Sequence, residues 1–396
     1  MRLLHLLSHD SNNIGNAALS LGTRRVLTED LRGATFDLEP WDEYNWAGTR
    51  KYAALVTRLN TEYDGLIVGA ASIFDGSVRY TDAGFRFNLP FELWDALQKP
   101  VIFYGVGYGC FPRQYYHNRR ALRRTFERIL SHPKVVFTLR NDDAHSWLRE
   151  MVQSRCENVI VIPDPAAYVP TKEAEHAELD PACLNVLLSL NAEHPSYRFG
   201  GGWPQRLWRY LPGWRLRKRR FIAGLVRALE YVAARHPIHL VLVPHTPYDS
   251  TMIGEFVSLC SPSFATYRLT ISPVLKGADG GMRHYDLYRR AHVALCMRVH
   301  SQVCAVGLGT PMISLASLPR MHAYMSDVGL ADYVVDVLDP EAGTKVAQLL
   351  EGLLTDAAAR ARFPPVPLAL RKRTAAFNAK LDAFLQGGDH PAGVAS

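Results

Sequence analysis

Short apolar runs recur along the chain, nearly continuous in Val, Ile and Leu rather than alternating with polar residues. They fall at Leu3–Leu7, Gly65–Gly69, Val101–Tyr104, Val135–Leu139 and Val159–Ile162, then at Asn185–Leu190, His239–Val243, His292–Cys296 and Pro311–Ser314. A strand covered on both faces of a parallel sheet reads this way, because neither side of its pleat meets water. Between the runs, apolar residues fall at helical spacing over Asn118–Leu130, Ala144–Val152, Phe221–Arg235 and Glu341–Leu354. Strand and helix in alternation predict doubly wound α/β sheets.

The acidic, proline-bounded stretch Pro170–Pro181 interrupts this alternation, and a fresh strand opens at Asn185. The pattern predicts a Rossmann-like domain over 1–175, a second over 176–386 and a disordered tail over 387–396. A last helix, Leu368–Leu385, is expected to pack back on the first domain. A chain of 396 residues is too long for one core and suits two. No apolar run approaches the ~20 residues that span a bilayer. Met1–Ser8 turns polar too soon for a secretory signal, so a cytoplasmic location is expected. The cysteines at 110, 156, 183, 260, 296 and 304 form no CxxC pair; reduced thiols and no metal site are expected.

The net charge of +7 points to anionic partners. Much of it sits in 203–220, where seven basic residues, three tryptophans and a tyrosine occur without an acid. Such a segment suits an anionic membrane surface; a solvated insertion is the alternative. Nucleic acid is not an expected partner, for want of any supporting fold motif.

In doubly wound sheets, ligands collect beyond the carboxyl ends of the strands. After the first strand, Asp10, Asn13, Gly15 and Asn16 lead into a helix whose free amides suit an anion or a sugar; alternatively the asparagines only shape and cap the turn. Gly105-Val-Gly-Tyr-Gly109 follows the third run and reads as a loop allowing close backbone approach, or a tight turn. Arg140 ends the next strand and points into the cleft, with a structural salt bridge as the alternative. Asp142 and Asp143 read as cap and solvent charges. Asp164, held between two prolines, is a base, an orienting group or a turn former. His245 follows the strand 239–243 as a ligand contact. Arg298 and His300 lie two apart where a buried strand meets a helix N-terminus, a place for phosphate or carboxylate; a surface arginine and a packing histidine are the alternative.

Several of these segments together resemble the polysaccharide pyruvyl transferase family. They are Asn13-Ile-Gly-Asn-Ala17, Lys99-Pro-Val-Ile-Phe-Tyr-Gly-Val-Gly107, Thr138-Leu-Arg-Asn-Asp-Asp-Ala144, Pro163-Asp-Pro-Ala166, and Met297-Arg-Val-His-Ser301 with Gly309-Thr-Pro311. The chain departs from the family at Asn16 and Asn141, each in place of Asp, and at Ala144 in place of Ser. Gly69-Ala-Ala-Ser72 stands where three glycines are usual, and narrows backbone approach.

The resemblance implies a GT-B-like fold of two facing doubly wound Rossmann-type domains with a cleft between them. It implies transfer of pyruvate from phosphoenolpyruvate (PEP) to a sugar of a polysaccharide or glycolipid precursor, as a ketal, in exopolysaccharide and cell-envelope biosynthesis. Arg298, His300, Arg140 and His245 would bind PEP. His300 would be the acid, with Arg298 and Asp164 beside it in catalysis. Asp10, Asn13, Gly15, Asn16, Gly105 and Gly107 would face the acceptor. No metal or organic cofactor is implied. A lipid-linked acceptor would make use of 203–220 and of a peripheral position at the inner membrane. The competing readings are a nucleotide-sugar-dependent GT-B glycosyltransferase and a non-catalytic family member acting as a binding protein.

Overall fold

The computed structural model describes residues 1–8, 12–44, 49–69, 72–76, 81–111, 114–153, 156–200, 213–365 and 367–392. The chain divides into two units. The first gathers Met1–Asp10, Leu19–Tyr168 and Leu368–Ser396, the second Ser11–Ala18 and Val169–Pro367. Among the described residues, every strand pairing is parallel.

The first sheet contains β1 (Arg2–Leu7), β2 (Thr35–Pro40), β3 (Gly65–Gly69), β4 (Ser72–Phe74), β5 (Val101–Tyr108), β6 (Val135–Arg140) and β7 (Ile160–Ile162). Their order is β2-β1-β3-β5-β6-β7, with β4 added against β5. On one face Phe74, Phe85, Phe103, Phe126 and Phe137 pack edge to face or tilted, which orients their ring quadrupoles favourably while burying large apolar area.

The second sheet contains β8 (Leu184–Ser189), β9 (Ile238–Leu242), β10 (Leu269–Ile271), β11 (Val293–Cys296), β12 (Met312–Ala316) and β13 (Val334–Asp336). Its order, β10-β9-β8-β11-β12-β13, reverses between β8 and β11. A reversal of that kind opens a crevice at the carboxyl ends of the two strands. The loops after Ser189 and Cys296 therefore share one place.

All nine predicted strands form. Four others, β2, β4, β10 and β13, were not expected. They are edge or off-path strands, and most of their residues keep partial exposure, so they lack the continuous apolar run of a central strand. The predicted Gly105–Gly109 loop is mostly strand: β5 continues to Tyr108. The register shifts between Phe103 and Val106, and Gly105 takes φ +56° there, the signature of a bulge. The helix expected from Phe221 begins earlier, at Gly213. Residues 203–212 of the basic segment lie outside the described residues.

The helix Leu368–Leu385 belongs to the first unit. Tyr104 donates to Asn378 Oδ1 at 2.9 Å, and Tyr168 bonds Thr374 at 2.7 Å. The described part of the tail does not fit the expectation of disorder. His390 is buried, lies edge-on to Phe384 and donates from Nε2 to the Val135 carbonyl at 3.0 Å. Among the described residues, no helix is long and apolar enough to cross a membrane.

Candidate functional site

In the second unit, β11 ends at Cys296, Arg298 stays extended (φ −114°), and the helix Val299–Leu308 begins at the next residue. Ser301 fixes the junction: its hydroxyl donates to the Arg298 carbonyl at 2.7 Å and accepts from the Arg298 amide. Gly309 closes the helix with φ +74°, a left-handed position that favours glycine.

Arg298 is only 6% exposed, which rules out the alternative of a surface arginine. Its Nε donates to Asp249 Oδ2 at 3.0 Å and its Nη2 to Asp249 Oδ1 at 2.6 Å. Nη2 also reaches Thr246 Oγ1 at 3.0 Å, and Nη1 reaches Glu193 Oε2 at 3.3 Å. Asp249 is fully buried and further accepts from the amides of Ala192, His245 and Thr246. Burial pushes the Glu193 carboxyl up, but Arg298 outweighs it and holds the group below its usual value.

The sequence reading missed Glu193, Asp249, Arg198 and Arg320. Asp249 leaves a trace in Thr246-Pro-Tyr-Asp249, the spacing of a capping box with proline at the first helical position. Arg198 is buried, donating to the Glu193 carbonyl at 2.8 Å and to Ser317 Oγ at 2.7 Å. Burial, then Arg298, then Arg320 push its guanidinium down to about 9. Arg198, Arg298 and Arg320 thus concentrate positive charge near the Glu193 and Asp249 carboxylates. Arg320 lies at the start of the helix Pro319–Asp327, whose dipole adds to it.

His300 lies half-buried in the first turn of its helix. Gly15 sits against its ring: a Cβ at residue 15 would fall on the imidazole at Nδ1. The Ile14 amide donates to the His245 carbonyl at 3.1 Å. Asn13 Oδ1 accepts from the Gly15 amide at 3.0 Å and its carbonyl accepts from the Asn16 amide, so Asn13 shapes the turn. Gly15 thus faces His300, and the pair lies within the second unit together with Asn13 and Asn16. Asp10 lies outside the described residues.

His245 was expected to contact the ligand. It is instead buried: Nε2 lies 2.9 Å from Tyr288 Oη and 3.3 Å from His284 Nε2. Burial, then His284, Arg298 and His300, hold it well below the usual histidine value, so it supports the site as a neutral ring.

Arg140 and Asp164 meet within the first unit. Both are at most 1% exposed, and Arg140 Nη1 lies 3.4 Å from Asp164 Oδ2. Arg140 Nη2 donates to Ser72 Oγ at 3.3 Å; Asp164 Oδ1 accepts from Ala166, and the Asp164 amide donates to Asn141. The arginine reads as the structural partner of Asp164 rather than a cation presented to ligand. The aspartate, with both oxygens occupied, is poorly placed as a base. The glycines follow from this pair. A Cβ at Gly107 would fall on the Arg140 guanidinium, and one at Gly105 would crowd Pro165. Their bareness makes room for protein. Asp142 is buried too, and not a solvent charge.

Among the described residues, no group of three or more His, Cys, Asp or Glu could hold a metal ion. Two parallel-sheet units place the protein in the GT-B class. The fold is shared with S. aureus MnaA in its complex with UDP: TM-score 0.56, 10% identity, covering 98% of this chain and 99% of that one. An E. coli trehalose-6-phosphate protein bound with UDP-2-fluoro glucose is alike at TM-score 0.56 and 13% identity, covering 98% and 99%. A UDP-N-acetylglucosamine 2-epimerase from Listeria monocytogenes follows at 0.54 and 11%, covering 98% and 97%. No curated protein matches the sequence. The model of the polysaccharide pyruvyl transferase family matches residues 13–319, and the chain belongs to that family.

Proposed function

We propose that the protein transfers pyruvate from PEP to a saccharide acceptor, forming a ketal, with the donor bound at the Arg298–His300 junction. The observation that carries this reading is the gathering of Arg198, Arg298 and Arg320 at the junction that bears His300, with the Arg298 fork held by Asp249 and Glu193. PEP brings a carboxylate and a phosphate, and guanidinium forks match both. Asp249 holds the Arg298 fork in a fixed plane, so little ordering remains when the anion arrives. Ketal formation begins with a proton delivered to the methylene carbon of PEP. His300 is assigned that step, since imidazole exchanges protons near neutral pH. The cation left at C2 takes the first sugar hydroxyl. A second hydroxyl closes the ring as the C–O bond to phosphate breaks. Of the two hydroxyl protons, one restores the acid and one leaves with phosphate. Asp164 is not offered as the base.

The test is PEP-dependent phosphate release over a panel of saccharide acceptors, free and lipid-linked. Wild type should release phosphate, and His300→Ala should abolish release with its thermal unfolding unchanged. Undiminished release by His300→Ala overturns the acid assignment. Turnover of a nucleotide sugar with PEP inert overturns the donor. PEP binding without turnover on any acceptor favours a non-catalytic family member.

A further inference from the structure

The described residues of the basic segment 203–220 are not among those assigned to the donor site. They form the first turns of the helix Gly213–Ala233. One face of that helix buries Phe221, Ile222, Leu225, Val226, Leu229 and Val232. The opposite face carries Leu216, Arg219, Arg220, Arg227 and Tyr231, with Leu216 64% and Tyr231 47% exposed. Spacings of four, seven and four from Leu216 through Arg220 and Arg227 to Tyr231 keep these residues on one stripe.

Beside the stripe lies a cavity of about 570 Å³, bounded by the helix Ala342–Thr355 and lined by Arg220, Arg227, Tyr231, Leu338 and Pro340 among others. Leu338 is itself partly exposed. The far wall holds carboxylates, each with a local neighbour: Asp339 pairs with Lys345, Glu341 accepts from Thr344, and Glu351 lies 3.8 Å from His236. Arg219, Arg220 and Arg227 have no hydrogen-bond or ion-pair partner among the described residues.

On the other arginine-rich helix, Arg119–Ser131, four of the five arginines are engaged by protein. There Arg119 donates to the carbonyls of Met151 and Glu150, and Arg123 donates to Gln153. Arg124 lies over the Phe91 ring, and Arg128 pairs with Asp95. Those cations serve the fold; among the described residues Arg219, Arg220 and Arg227 make no such contact.

We infer that the face from Leu216 to Tyr231 docks on an anionic phospholipid bilayer. Lipid phosphates meet the guanidiniums of Arg219, Arg220 and Arg227, while Leu216, Tyr231 and Leu338 enter the boundary between headgroups and acyl chains. Nucleic acid would engage the cations but gain little from exposed leucines. The inference rests on charge and exposure and is independent of the donor reading.

The experiment is sedimentation of the full chain with phosphatidylglycerol–phosphatidylcholine vesicles and with pure phosphatidylcholine. Wild type should sediment with the anionic vesicles at low salt, be released by high salt, and ignore the neutral ones. Each arginine near an anionic surface adds about fivefold to partitioning. The triple variant R219E/R220E/R227E should therefore bind at least about a hundredfold more weakly, with unchanged melting and unchanged phosphate release from soluble substrates. Leu216→Ser should weaken binding by a smaller factor. Failure of wild type to bind anionic vesicles overturns the inference, as does equal binding by the triple variant. An equal loss on reversing Arg120, Arg124 and Arg128 instead would show that net charge, not this face, governs binding. Tight binding to single-stranded RNA with no vesicle binding would reassign the face to nucleic acid.

Discussion

Two arginines stand at the ends of parallel strands, each before a helix and each bonded to a buried aspartate. Arg140 meets Asp164 in the first unit and Arg298 meets Asp249 in the second. Around Arg140 lie neutral Ser72 and the bare Gly107. Around Arg298 lie Glu193, Thr246 and His300, with Arg198 and Arg320 in electrostatic reach. The first pair lies beside a neutral hydroxyl, and the second belongs to a cluster of several guanidiniums and carboxylates. A buried ion pair is thus evidence of function only after its neighbours are counted.

The strongest way to break this comparison is to remove one aspartate from each pair. Asp164→Ala and Asp249→Ala each strand a buried guanidinium and should destabilise by about 3–5 kcal/mol, read from urea unfolding. Removing the charge from both partners while keeping an acceptor for the backbone amides separates fold from function. Arg140→Met with Asp164→Asn should stay folded and retain phosphate release. Arg298→Met with Asp249→Asn should stay folded and lose it. Equal activity in the two doubles would erase the distinction between the sites.

The glycines sharpen the same contrast at smaller cost. Gly107→Ala presses a methyl on the Arg140 guanidinium and should cost roughly 1–3 kcal/mol, with kcat little changed. Gly15→Ala presses on the His300 ring and should lower kcat by roughly a hundredfold, because a reacting group displaced by about an ångström loses its alignment. If Gly15→Ala instead only melts the protein and leaves kcat intact, His300 does not act where the donor reading puts it.

The central strands were legible because burial on both faces writes itself as continuous Val, Ile and Leu. The edge strands β2, β10 and β13 keep partial exposure and left no such mark. Arg298 and His300 were legible as a junction, but the roles of their neighbours were not. Asp249 lies 49 positions before Arg298 and Glu193 lies 105 before it, and nothing in local spacing announces either contact. Arg140 misled for the same reason. A strand-end arginine looks identical in sequence whether its partner is a ligand or Asp164. Gly105 and Gly107 misled because the space that glycine leaves was assigned to a ligand, when protein fills it.

Acidity gives a third handle, because the Arg298 neighbourhood rests on neutral histidines and the Arg140 pair does not. Burial lowers His284 to about 3, and His5, in the middle of β1, also to about 3. The unfolded chain takes up a proton at each near 6.5, so their neutral contribution is complete above that pH. It is lost progressively as pH falls from 6.5 towards 3. Each should contribute a slope of about 1.4 kcal/mol per pH unit across that window. His5→Phe should flatten the pH dependence of the first unit by one such increment and leave activity intact. A profile unchanged by His5→Phe would mean that the ring is already protonated in the fold.

A third arginine–aspartate pair tests whether geometry or burial sets the cost. Arg371, on the helix Leu368–Leu385, grips Asp30 with two hydrogen bonds, Nη1 to Oδ2 at 2.9 Å and Nη2 to Oδ1 at 2.5 Å. That fork is better formed than the one between Arg140 and Asp164, yet the Arg371 side chain is 31% exposed. Water screens the pair and rehydrates either partner once the other is gone. Asp30 also keeps the Asn378 Nδ2 donor at 2.8 Å when Arg371 is removed. Arg371→Met should therefore cost only about 1 kcal/mol in urea unfolding, the smallest effect in the series. A loss as large as that of Asp164→Ala would mean that hydrogen-bond geometry, rather than a stranded buried charge, decides what these pairs contribute. The Arg140 and Arg298 sites would then have to be told apart by activity alone.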